Sequence, residues 1–493
     1  MTLTEPERRL REAFATGAKV DVRSVATPQE PEDPEVDGPG WGPERTVRAE
    51  VIRSLLLGSA DTRPGETPVV HLVGARVTGR LRLVFAEVCC VLRLEKCWFE
   101  EPPQLYGATL RVTGFGGSYL PGFAINTATV AGHLDLMKTR VRGRTHLENA
   151  RIDGSLLLQG ARLSHPGGVA LDGSRLDVGS GIIGRDGFRA EGEIRLREAR
   201  VGEALRLEGA YLHHPGGDAL CAESIQVGSR IDCGEGFHAE GAVVLTAATV
   251  GRAVSFRGAT IRHPAAHAVD ARHLRTGELD LRTARVEGTV DLRHGRLDVW
   301  HIPADASPAP VPHLHLDGLV YQTLEPHLPV ARCLALVERD PDGYRPQPYA
   351  QLAATYQSIG HDDDARGVLL AKQRHRRATL RPLGRAWGWL LDVTVGYGYR
   401  PWLAGLWLTA LTLLGTAVFG AAHPKPVKPG EGAPFSPLVY ALDLLIPIGG
   451  LGQRNAWYWP SEPVQWLAYA LIAAGWLLTT AVVAGVTRVL NRT

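Results

Sequence analysis

The sequence is poor in cysteine: six in 493 residues, Cys89, Cys90, Cys97, Cys221, Cys233 and Cys333, with no CxxC pair among them. That spacing excludes a zinc ribbon and a thioredoxin-type redox motif. Methionine (2) and phenylalanine (10) are scarce too. Neither sign of charge is in excess: 54 Lys+Arg stand against 52 Asp+Glu, a net charge of +2. This removes the broad basic field of a nucleic-acid binder. Residues 1–30 contain no apolar stretch of signal-peptide length, so the bulk of the chain is expected in the reducing cytosol with its thiols free. Glycine (56) and proline (33) are plentiful, yet below the level that marks disorder.

Four parts follow one another. Residues 1–45 join a short amphipathic stretch, Glu7 to Phe14, to the tract PQEPEDPEVDGPGWGP, whose composition reads as a disordered linker. Residues 46–66 place Val47, Val51, Leu55 and Leu56 at helical spacing with Gly58 as C-cap, which predicts a capping helix over the region that follows.

Residues 67–320 are an internal repeat. Ala150, Ala199 and Ala248 open successive copies at a step of 49 residues. His165, His214 and His263, each before proline, keep that step, as do Phe188 with Phe237 and Glu191 with Glu240. Each copy holds four units in which a small residue, a glycine turn and alternating apolar positions recur. Short strands of this kind bury their faces only by stacking coil on coil. The pattern predicts a mainly β fold, a right-handed parallel β-helix of about 24 residues per coil and roughly ten coils.

Residues 321–385 change to helical spacing. Tyr349, Leu352, Ala353, Tyr356, Gly360 and Ala365 predict a tetratricopeptide-like hairpin with Gly360 in its turn. A basic juxtamembrane run follows: Lys372, Arg374, Arg376, Arg377, Arg381 and Arg385. Residues 386–493 predict a two-span membrane domain, because neither 401–424 nor 463–487 contains Asp, Glu, Lys or Arg. Basic residues flank the outer ends of the two spans more densely than the segment between them. This orients both termini to the cytoplasm of an inner or plasma membrane.

Several motifs compete for a chemical reading. Gly179, Gly181 and Gly184 spell GxGxxG, but a dinucleotide site needs a strand feeding a helix, and here the glycines belong to a repeat. An oxidoreductase reading on that match alone is a false positive. The His-Pro steps offer one histidine per site and read as turns, not as a metal ladder. Asp153, Asp172, Asp177, Glu193 and Glu198 read as outward strand positions before they read as paired catalytic acids. TVGYG, Thr394 to Gly398, reads as a turn entering the first span, since nothing upstream crosses a membrane. No catalytic residue, cofactor or metal is expected.

Between the spans, Phe435 to Gln453 is apolar, carries one charge (Asp443) and ends in glycines. Its helical part is too short to cross a bilayer and fits a re-entrant half-helix. Span, half-helix, glycine-rich loop and span together resemble bacterial two-transmembrane pore-loop channel proteins of potassium-channel type, including those with cytosolic repeat domains. GYGYRPW, Gly396 to Trp402, is similar to the segment that precedes the first span there. Tyr440 sits at the family's pore-helix tyrosine. Pro447, Ile448, Gly449, Gly450, Leu451, Gly452 and Gln453 fall where the family has Thr-Thr-x-Gly-Tyr-Gly-Asp. Gly450, Gly452 and a polar last residue are kept, while both threonines and the tyrosine are replaced. The resemblance implies a tetramer, with Asp443 either in a ring that favours cations or paired with Arg454 of a neighbour.

The expectation is a channel-like homo-oligomer in a lipid bilayer, cation-conducting, with the β-helix as sensor, gate or docking platform for a cytosolic protein. A non-conducting tethered scaffold is the first alternative, a membrane-associated enzyme the second.

Overall fold

The computed structural model describes residues 3–23, 33–58, 66–282, 285–303, 311–400, 402–422, 424–428, 434–446, 450–460 and 462–490. The chain forms two compact units, Met1–Gln351 and Leu352–Thr493. The helices are α1 (Glu5–Phe14), α2 (Pro34–Asp37), α3 (Ala49–Leu56), α4 (Val330–Val337), α5 (Pro346–Ser358), α6 (Asp362–Ala378), α7 (Pro382–Val395), α8 (Trp402–Ala421), α9 (Pro437–Leu445), α10 (Gln453–Ala456) and α11 (Glu462–Leu490).

The first unit is a parallel β-solenoid of about 11 turns, each of about 23 residues, with helices at both ends. Equivalent positions of successive coils pair in register, so like side chains stack. Leu110, Val130, Ile152, Val178, Val201, Val227 and Val250 form one such column, every member buried. Each buried aliphatic side chain contributes about 1.5–3 kcal/mol, which many two-residue strands could not gain separately.

The repeat step read from the sequence is two coils of unequal length. The coil from Ile152 to its partner Val178 is the longer, and the coil from Val178 to its partner Val201 the shorter. The extra residues lie in His165–Gly168, where the pairing jumps from Ser164–Glu191 to Val169–Glu193. Gly192 of the shorter coil, at φ 117°, packs beneath this bulge; a Cβ there would sit 2.6 Å from the His165 carbonyl oxygen. The three His-Pro steps therefore recur on every second coil. Their histidines are half-buried, and His214 Nδ1 lies 2.9 Å from the Asp218 carbonyl oxygen.

The glycines of VGSGIIG serve this stacking. A Cβ on Gly202 would lie 2.0 Å from the Gly179 carbonyl oxygen, and one on Gly228 would lie 2.0 Å from that of Gly202. Gly179 is thus one rung of a glycine column, and the residues after it form the strand Ile182–Ile183 instead of a helix.

The corners were less legible. Asn149, Arg175, Glu198, Ser224, Ala247 and His273 all adopt left-handed backbone near φ 56°–58°. Such a residue costs roughly 1 kcal/mol. The coil above compensates: Asn149 N–H donates to Ser174 O at 2.9 Å and Glu198 N–H to Glu223 O at 2.8 Å.

Residues 3–23 and 33–45 fold onto the first coils, unlike the linker that their composition suggested. A capping box between Thr4 and Glu7 opens α1, whose Leu10 and Phe14 are buried. Val20–Asp21 adds a parallel strand to Leu72–Val73. Within the described part of the acidic tract, Asp33 and Glu35 meet Arg140. The capping helix over 46–66 is present as the shorter α3.

At the other end, Gln347 and Gln351, one turn apart on α5, close the last coil. Gln347 Nε2 donates to Leu319 O at 2.9 Å and Gln351 Nε2 to Tyr321 O at 2.7 Å.

In the second unit, Gly360 at φ 80° turns the chain between α5 and α6, the hairpin expected there. Among the described residues one helix, α8, is long and apolar enough to cross a membrane, and only 17% of its most apolar window is buried. The second predicted span falls within α11, a helix of 29 residues.

Candidate functional site

The second unit carries a buried apolar element within residues 434–459. Here α9, nine residues long, packs against both α8 and α11. At the usual helical rise it extends about 13 Å, less than half a bilayer core. Tyr440, Ala441, Leu444 and Leu445 of α9 join Phe419, Trp459, Ala468 and Leu471 in one buried cluster.

Small residues permit this depth. A Cβ on Gly475 of α11 would lie 2.3 Å from the Leu445 carbonyl oxygen, and one on Gly415 of α8 would lie 3.0 Å from Ala441 Cβ. The α9 backbone therefore lies directly on α11 at its C-terminal end. Trp459 Nε1 donates to Tyr440 Oη at 3.0 Å within an aromatic cluster that includes Phe419 and Phe435. Tyr440 was singled out only through the resemblance to pore-loop proteins, which did not reveal that the Trp459 indole, nineteen positions on, donates to its hydroxyl oxygen.

Asp443 is fully buried. Its Oδ1 accepts the Leu451 N–H at 2.6 Å and its Oδ2 accepts the Arg454 N–H at 2.8 Å. The carboxylate thus ties the backbone at Leu451 and Arg454 to α9. Gln453, also buried, donates from Nε2 to Pro434 O at 3.0 Å and ties the base of the hairpin. Gly452 begins α10 in left-handed backbone at φ 80°. Gly450 would accommodate a Cβ in ordinary van der Waals contact, with Asp443 Oδ1 at 3.9 Å. Leu451 is exposed, while Pro447, Ile448 and Gly449 lie outside the described residues.

The basic run is divided between α6, which carries Lys372, Arg374, Arg376 and Arg377, and the start of α7, where Arg381 is the N-cap and Arg385 follows. Arg374 and Arg377 share Asp392, Arg374 with Nη2 2.9 Å from Oδ1 and Arg377 with Nη1 3.2 Å from Oδ2. TVGYG ends α7 with Thr394 and Val395 and leaves it through Gly396, Tyr397 and Gly398, all at positive φ.

Along the solenoid, carboxylates are matched by arginine. Asp172 is buried and meets Arg144 at 2.6 Å and Arg195 at 3.6 Å. Burial raises its carboxyl, and hydrogen bonds from Ser174 and Arg144 outweigh that and hold it below the usual range. Glu193 pairs with Arg195, and Asp153 and Asp177 both meet Arg151. Glu198 is one of the left-handed corner residues.

Among the groups of mixed ligand type in the described residues, two that lie wholly within the first unit carry no signal in the sequence. In one, Glu193, Asp218 and Cys221 converge, with Cys221 Sγ accepting from Arg197 Nε at 3.0 Å. In the other, His315 Nδ1 lies 3.2 Å from Asp340 Oδ1 and 3.8 Å from Asp342 Oδ2. In each, two members are near neighbours in the chain, Asp218 with Cys221 and Asp340 with Asp342, and the third, Glu193 or His315, is brought in from a distant segment, so no local spacing announces the group.

No family model matches this sequence, and no curated protein or solved structure matches it.

Proposed function

We propose that this is a membrane-anchored protein in which a right-handed, cytosol-facing solenoid is joined to a two-span domain, α8 and α11, with α9 as a re-entrant half-helix. In this reading the domain assembles as a homo-oligomer, a tetramer by resemblance, with channel-like architecture and a path for cations. The solenoid is its sensor, gate or docking platform. The observation that carries the reading is α9 itself: a helix too short to cross, buried between two long helices whose outer faces leave Trp402, Leu406, Leu413, Trp466, Trp476 and Leu477 exposed. Apolar surface of that extent requires lipid or a neighbouring subunit.

A second reading is favoured by Asp443. Both of its oxygens are engaged by N–H groups of the same hairpin, which draws the carboxylate away from a cation-selecting ring and toward a structural role. The spans would then anchor a non-conducting scaffold.

Planar-bilayer recording of the purified oligomer, wild type against Gly450→Ala, separates the two. The Gly450 position has room for a methyl group, so the variant is expected to fold. Conductance that the substitution alters supports a pore lined by this loop. A verified oligomer with no conductance rejects the channel and leaves the scaffold.

A further inference from the structure

The segment α6–α7 has features that neither a pore nor a tether requires. Leu383, Trp387, Leu390 and Val393 fall along one side of α7 at helical spacing and are exposed, Leu383 at 88%. The opposite side is packed: Gly388 is buried, and a Cβ there would sit 2.8 Å from Tyr397 Oη and 3.1 Å from Arg377 Cδ. A 14-residue helix with a bare Trp/Leu face, leading directly into the most apolar helix of the chain, has the character of a helix lying in a membrane interface.

At the border of that apolar face is an open cleft of about 440 Å³, lined by Arg374, Arg377, Ala378, Arg385, Ala386 and Trp389. Three guanidinium groups line it. Among the described residues the carboxylate that bridges two of them is Asp392, which is largely buried behind Arg374 and Arg377. The balance at the cleft is therefore a surplus of positive charge. Arg385 Nε donates to Leu380 O at 2.8 Å, which fixes the base of that side chain at the cleft's edge. Trp389, 60% exposed, adds an aromatic ring of the kind that sits at headgroup depth.

We propose that this cleft binds the phosphate of an anionic phospholipid, with α7 lying in the interface so that the acyl chains of the same lipid run along Leu383, Trp387 and Leu390. The chemistry is the fork geometry of guanidinium on phosphate oxygens, combined with an adjacent apolar face that free phosphate cannot use. The site rests on the membrane-anchored reading above, and on neither conduction nor the scaffold.

The test uses the full chain purified in mild detergent and reconstituted in phosphatidylcholine vesicles with and without phosphatidylglycerol. Phospholipid retained on re-extraction is measured by native mass spectrometry. Wild type is expected to retain phosphatidylglycerol over phosphatidylcholine. The Arg374→Gln/Arg385→Gln double variant is expected to lose at least about tenfold of that preference, and Arg385→Lys to keep part of it. Asp392→Asn, which releases Arg374 and Arg377, is expected to retain more phosphatidylglycerol, a gain that misfolding cannot imitate. Equal retention of both lipids by wild type overturns the proposal, as does a double variant that keeps the preference. Displacement of the lipid by millimolar inorganic phosphate assigns the cleft to a free anion and overturns it too. Alkaline carbonate extraction of the membranes is run alongside. If wild type leaves the membrane fraction, it is the anchoring that fails; if every variant stays and lipid preference is unchanged, only the headgroup site does.

Discussion

The Asp443 carboxylate reaches along the chain to accept the Leu451 N–H at 2.6 Å, and in doing so fastens Leu451 to the buried face of α9. Replacing Asp443 with Asn keeps one acceptor oxygen and turns the other position into a donor facing an N–H group. The expected loss is about 1–3 kcal/mol for the buried amide left unsatisfied. Trp457 and Trp459 lie in the same hairpin, so tryptophan fluorescence during thermal unfolding of the detergent-solubilised protein should show a lower midpoint. Gly450→Ala should leave that midpoint in place.

A Cβ at Gly475 meets the Leu445 carbonyl oxygen at 2.3 Å, too close for any side chain without displacing α9. Gly475→Val is expected to separate α9 from α11 and expose the Tyr440–Trp459 cluster. Increased protease cleavage near Pro434–Trp459 in the detergent-solubilised protein would register it. Gly415→Ala, where the contact is 3.0 Å to a methyl group, should have a milder effect in the same assay.

In the solenoid, Gly202→Ala places a methyl group 2.0 Å from the Gly179 carbonyl oxygen. Two coils must part, and the loss is expected to exceed about 3 kcal/mol. Gly216→Ala is the control: its φ of 82° is left-handed, but nothing lies within 4 Å, so only about 1 kcal/mol should be lost. Denaturant unfolding followed by circular dichroism compares them, and equal midpoints would refute the role given to the glycine column.

Glu7 and Arg48 fasten the N-terminal cap. Glu7 is buried, and its Oε1 accepts from Arg48 Nε at 2.7 Å and from the Arg48 N–H at 3.0 Å. Burial pushes the Glu7 carboxyl up, and the hydrogen bonds and charge of Arg48, with the Thr4 N–H, overcome this and hold it near about 2. Because the folded-state value lies below the ordinary 4.5, the stabilisation is complete above pH 4.5 and disappears as pH falls toward about 2. Arg48→Met leaves the buried carboxylate without its cation and is expected to destabilise the cap at neutral pH, with a smaller difference from wild type in acid. Hydrogen exchange of α1 across that range would follow both effects, with exchange in the variant about tenfold or more faster at neutral pH.

The solenoid was legible because its regularity is written into the chain: identical steps between Ala150, Ala199 and Ala248 leave few ways to fold. Its corners were not, since the left-handed positions are occupied by Asn149, Arg175, Glu198 and Ser224, which share no local signature and are held by the coil above. The N-terminal segment was misread for a related reason. Its composition is that of a linker, but the residues that order it lie outside it, Arg48 41 positions from Glu7 and Arg140 107 positions from Asp33. Apolar runs marked α8, α9 and α11; Asp443 stood out as the one charge in its stretch, and Tyr440 was singled out by the resemblance. The partners of those two side chains, Trp459 and the Leu451 and Arg454 amides, depend on how the hairpin folds back and could not be read from spacing.

Since the His-Pro bulge appears on alternate coils, the solenoid flank carries protrusions at an interval of two strand spacings, roughly 9.6 Å. That interval is a ruler. A binding partner that engages more than one protrusion must itself carry features at the same interval. A second solenoid of the same period, or a stacked sheet read at every other strand, would supply them.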